Sequence, residues 1–128
     1  MANNLTNYAE NKVLNHILGV SAFTMPTVYL ALFTADPTEA GTGTEVTGGA
    51  YARKAISFTA ATTGATSNSV DVLFDTATAN WGTITHIGLM DALTGGNMLW
   101  YGALSTAKTV PSGDQFKMAA TKLSVSIE

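Results

Sequence analysis

The chain carries two histidines, His16 and His86, and no cysteine. Neither histidine has another His or a Cys at metal-ligand spacing, so neither opens a zinc site. Without cysteine there is no disulfide framework and no thiolate site. A nucleophile–base pair needs a hydroxyl beside a histidine. Ser and Thr are so frequent here that such proximity carries little information, and both histidines read as structural. Asp71, Asp75 and Asp91 are the candidate acid–base carboxylates. Asp71 and Asp75 share a strand face at four-residue spacing, roughly 13 Å apart, whereas a glycosidase pair works within about 9.5 Å. Solvated strand positions explain them better. Asp36, Glu39 and Glu45 could gather around Ca²⁺ with loop carbonyls, but their spacing does not match a twelve-residue calcium loop. No catalytic, cofactor-binding or metal-binding residue is assigned, and the expectation is a protein that is not an enzyme and uses no cofactor.

Gly48-Gly49 and Gly95-Gly96 precede no Lys-Ser/Thr and open no helix, so they read as turn glycines rather than a phosphate cradle. Trp81, Trp100 and Tyr101 have the rings that stack on sugars, though anchoring a core or an interface is the commoner role. Together with Tyr51 and Arg53 they are the expected contact residues.

These residues must be positioned by a β-rich framework. Leu5, Tyr8, Ala9, Val13, Ile17 and Leu18 recur at three- and four-residue spacing, predicting a helix over 4–18. Thr6 or Asn4 caps its start and Gly19 its end. Its wide apolar arc predicts cover on more than one side, from its own domain or a neighbouring subunit. Residues 27–34 alternate two apolar sets and so predict a strand buried on both faces. Further strands are expected at 51–59, 69–75, 83–91, 98–104 and 121–127, with a pliable loop over 38–50 and a hairpin turn at Ala92–Asn97. The fold class is therefore mainly β: one antiparallel β-sandwich domain over 1–128, jelly-roll-like, with an N-terminal helix.

Charged residues make up only 12% of the 128, about half the usual share. Few charges need desolvation when such a surface is covered, which suits a subunit that packs against neighbours. The six basic residues are scattered against a net charge of −3, so no basic stripe exists for nucleic acid. No apolar run reaches the roughly 18 residues of a bilayer span. The start lacks a secretory pattern, and assembly in the cytoplasm is expected.

Several ordered motifs carry a family likeness: Asn11-Lys12-Val13-Leu14-Asn15-His16, Pro26-Thr27-Val28-Tyr29-Leu30-Ala31-Leu32, Thr34-Ala35-Asp36-Pro37-Thr38, and Gly48-Gly49-Ala50-Tyr51-Ala52-Arg53. The longest begins at Ala79-Asn80-Trp81-Gly82-Thr83 and runs through His86-Ile87-Gly88, Thr94-Gly95-Gly96-Asn97 and Tyr101-Gly102-Ala103-Leu104. In these the chain resembles, nearly end to end, a family of small tailed-phage virion structural proteins, often labelled tail fiber proteins. Some proteins of this look decorate capsids as cement subunits, often as trimers. The resemblance implies a virion protein whose partners are the major capsid protein and copies of itself, with no nucleic-acid or membrane partner. A fiber usually needs a repetitive shaft or coiled-coil trunk, and this chain has neither. Capsid cement is therefore the first expectation. A tail, fiber or baseplate component is the runner-up, followed by a carbohydrate- or receptor-binding module.

Overall fold

The computed structural model describes residues 4–127. It is mainly β, as expected, with one short helix. In chain order the elements are β1 (Asn4–Leu5), α1 (Asn7–Ile17), β2 (Tyr29–Phe33), β3 (Lys54–Ala55), β4 (Ala65–Ser67), β5 (Val72–Leu73), β6 (Thr83–Met90), β7 (Met98–Thr109), β8 (Lys117–Met118) and β9 (Ser124–Ser126). A five-stranded antiparallel sheet runs in the order β1-β7-β6-β2-β3, and β4-β9 and β5-β8 form two small ladders.

The main sheet is built where alternation is strongest. Leu30, Leu32, Ile87 and Leu89 turn to one face, where Ile56, Val72, Phe74, Phe116, Met118, Leu123 and Val125 complete the principal core. Ala31, Phe33, Met90 and Met98 form a smaller cluster without them. Burial on both faces of β2 thus holds from Leu30 to Phe33. The two layers across the principal core agree with a β-sandwich. The turn at Asp91–Asn97 joins β6 to β7 as a hairpin: Asp91 N–H donates to the Asn97 carbonyl at 3.0 Å, and Asn97 N–H to Asp91 Oδ1 at 2.7 Å. Gly95 and Gly96 supply φ of 61° and 73° there.

Several boundaries differ from expectation. The helix begins at Asn7, because Asn4 and Leu5 pair with Tyr101 and Trp100 of β7 instead. Thr6 is the cap: its Oγ1 accepts from Ala9 N–H at 3.3 Å and donates to the Met98 carbonyl, lashing α1 to β7. Gly19 (φ 78°) follows the last turn. The segments over 51–59, 69–75 and 121–127 keep only two or three ladder residues each, because each finds only a short stretch of partner strand. β7 instead runs on to Thr109, with a bulge opposite Ile84–His86. The loop over 38–50 is pinned in its middle, where Val46 N–H donates to the Leu32 carbonyl and Thr34 N–H to the Thr44 carbonyl.

Candidate interaction surface

Three of the five expected contact residues come together inside the molecule. The Arg53 guanidinium forks onto Glu45, with Nε donating to Oε2 and NH2 to Oε1, each at 2.8 Å. Its NH1 donates to the carbonyls of Ala92 and Gly95 at the hairpin turn, also at 2.8 Å each. Tyr51 hydroxyl donates to Glu45 Oε2 at 2.6 Å and accepts from Leu32 N–H. Burial works to raise the Glu45 carboxyl, but hydrogen bonds from Arg53 and Tyr51 and the guanidinium charge outweigh it and hold it below the ordinary carboxylate range. Burial first, and the hydrogen bond to Glu45 second, push the Tyr51 phenol upward. The hydrogen bond to Glu45 raises Arg53 further. A shallow cleft of about 390 Å³ opens beside this group, but its charged atoms already satisfy one another. The arrangement ties three chain segments together, leaving no free nucleophile or base.

Trp81 sits edge-on to Tyr51 and Phe74, and Phe74 edge-on to Phe116. Its Nε1 donates to the Gly49 carbonyl at 2.8 Å. A Cβ on Gly49 would lie 2.9 Å from that nitrogen, which is why glycine stands there. At 5% exposure, Trp81 presents no ring to a sugar. Trp100 and Tyr101 lie on opposite faces of β7, packed against the principal core and the smaller cluster respectively. Trp100 is half-buried between two apolar grooves. One, of about 160 Å³, is lined by Val28, Phe58, Leu89, Leu99 and Val125; the other, of about 180 Å³, by Ala61, Gly64, Ala65 and Ile127. Burial, then Glu39, Asp36 and Glu10 in that order, raise the Tyr101 phenol.

The remaining polar candidates have structural partners. Asp71 accepts from Ala120 N–H at 2.8 Å and pairs with Lys117 at 3.3 Å, while Asp75 pairs with Lys54 at 3.0 Å. His16 Nδ1 accepts from Phe23 N–H, folding the next segment back on α1. Asp36 lies 4.0 Å from His86. Among the described residues no group of three His, Asp or Glu side chains could hold a metal ion, and no helix is long and apolar enough to cross a membrane.

The surface that stands out lies elsewhere. α1 buries only Ala9, and its broad apolar arc is not covered on its own fold. Leu14, Ile17 and Leu18 are 55%, 72% and 71% exposed, followed by Val20 at 73% and Met25 at 90%. The contact-residue set omitted all five. A signal was available: between Lys12 and Asp36 the chain has no Asp, Glu, Lys or Arg. Exposed apolar side chains gathered in one charge-free stretch mark an interaction site more often than a free surface.

The comparison with protein families decides the wider identity. The model of the family described as Podophage GP4 fiber I protein gp80 matches residues 4–126. The chain belongs to this family. The resemblance to tailed-phage virion structural proteins is thereby borne out, and the gp80 family is one of phage fiber proteins. No curated protein matches the chain.

Proposed function

We propose that this gp80-family chain is a non-catalytic assembly subunit of the phage particle, a globular building block of a fiber. The observation that carries the reading is the bare strip Leu14–Met25 on a chain so poor in charge. Burying one aliphatic side chain fully contributes about 1.5–3 kcal/mol. The five partly exposed ones therefore offer roughly 5–10 kcal/mol before the association cost of about 4–15 kcal/mol. One contact alone is weak, and many equivalent contacts in an ordered array hold firmly. Without a shaft or trunk of its own, the chain would serve as one unit of a fiber whose length comes from many copies or from other proteins, and membership in a fiber-protein family supports that role. The partners are copies of itself and neighbouring virion proteins, and the location is the virion.

Capsid cement is the second reading, favoured by the compact, charge-poor fold and the lack of any repeat. Such a subunit would bind the major capsid protein, as a trimer, and stabilise the assembled head by mass action. Reconstruction of particles bearing a tagged copy separates the two. Density in tail-attached fibers supports the first reading. Tag density spread over the head lattice replaces it with cement, and a chain missing from mature particles removes both.

A further inference from the structure

We propose that copies of this chain join head to tail, with Leu14 and Leu18 of one copy seated in the two grooves beside Trp100 of the next. The proposal rests on the assembly reading and names its surfaces. Leu14 and Leu18 stand one helical turn apart at the end of α1, so their Cβ atoms lie about 5–6 Å from each other. Both are mostly exposed, and neither lines either groove of its own copy. The two grooves share Thr66, Trp100 and Val125, so they lie side by side with the indole between them. At about 160 and 180 Å³ each has room for one leucine-sized group, given that an apolar cavity of about 150 Å³ holds benzene. Prongs and sockets match in number and in apolar chemistry, and among the described residues no charged side chain lines either groove.

The match also selects a second copy over a lipid surface. The chain is acidic overall, with Lys12 the only cation on α1, so it lacks the basic flank that draws an amphipathic helix to anionic headgroups. Because prong and socket are different surfaces, the contact is heterologous. Repetition gives a closed ring or an open filament rather than a two-fold dimer.

The test uses the full chain and sedimentation across concentration. Wild type should rise above monomer mass, with little change between low and high salt because the described lining of both grooves is uncharged. Leu14→Lys with Leu18→Lys blunts the prongs, and Ala65→Lys, at an exposed position, blocks a socket. Each should weaken self-association by roughly a hundredfold or more, since each buries an unpaired ammonium, while unfolding temperatures stay at the wild-type value. An equimolar mixture of the two variants should form a dimer that cannot extend, because one intact prong pair meets one intact socket pair. The absence of cysteine allows a second readout: Leu18→Cys mixed with Ala65→Cys should crosslink, and neither should do so alone. Wild type that stays monomeric at millimolar concentration, or a socket variant that still self-associates, overturns the proposal. So does binding to neutral lipid vesicles by a chain that remains monomeric. Those results leave the chain's place in the particle standing, whereas its absence from the particle would remove the assembly reading itself.

Discussion

Arg53→Met tests whether the Glu45–Arg53 pair is a fastener of the fold. Methionine keeps much of the side-chain volume but removes four hydrogen bonds at once, two to Glu45 and one each to the carbonyls of Ala92 and Gly95. Removing one member of a sealed ion pair costs about 3–5 kcal/mol. Glu45 keeps 24% of its side chain exposed and regains some hydration, which lowers that part to about 2 kcal/mol. The two carbonyls, reached by water through the adjoining cleft, add about 1–2 kcal/mol. The expected loss is therefore about 3–4 kcal/mol, or roughly 10–15 °C in Tm for a chain of this length. Urea and thermal unfolding measure it directly. A double-mutant cycle with Glu45→Gln should show strong coupling. Arg53→Lys should lose more than half as much, because an ammonium cannot fork onto the carboxylate and reach the turn as well. A Tm within about 3 °C of wild type, or additive effects of Arg53→Met and Glu45→Gln, would refute the assignment.

Asn68 is wholly buried, with Nδ2 donating to the carbonyls of Val70 and Ala119 and Oδ1 accepting from Leu123 N–H. Asn68→Leu should thus cost about 3 kcal/mol or more despite its greater hydrophobicity, seen as a lower urea midpoint. Trp81→Phe keeps the ring stack but frees the Gly49 carbonyl, for an expected loss of about 1–2 kcal/mol in the same assay. Thr6→Val removes the cap of α1 and should cost about 1–2 kcal/mol, with amide exchange rising first in the opening turn of the helix. Glu45 is held below its ordinary value of 4.5, so its contribution is present above that value and is lost as pH falls through the lowered folded one. Wild-type Tm should drop more steeply than that of Glu45→Gln over this acid range.

Local patterning made the centre of the fold legible. The alternating apolar sets at 28–33, the strand through Ile84, Ile87 and Leu89, and the glycine-rich turn before Met98 each specify themselves within a few residues. The shared order of motifs likewise pointed to the phage family that the chain belongs to. The rest depended on partners distant in the chain. Asn4 and Leu5 suit a helix, yet β7 offers them a ladder. Tyr51, Arg53 and Trp81 are residue types that anchor interfaces, and folding turned them inward on Glu45, the hairpin turn and Gly49. An amphipathic stripe shows that Leu14, Ile17 and Leu18 share a helix face, but periodicity is blind to whether anything lies opposite. Tertiary packing left that face bare, because burial is a property of where segments meet in space and not of the order in which they are joined.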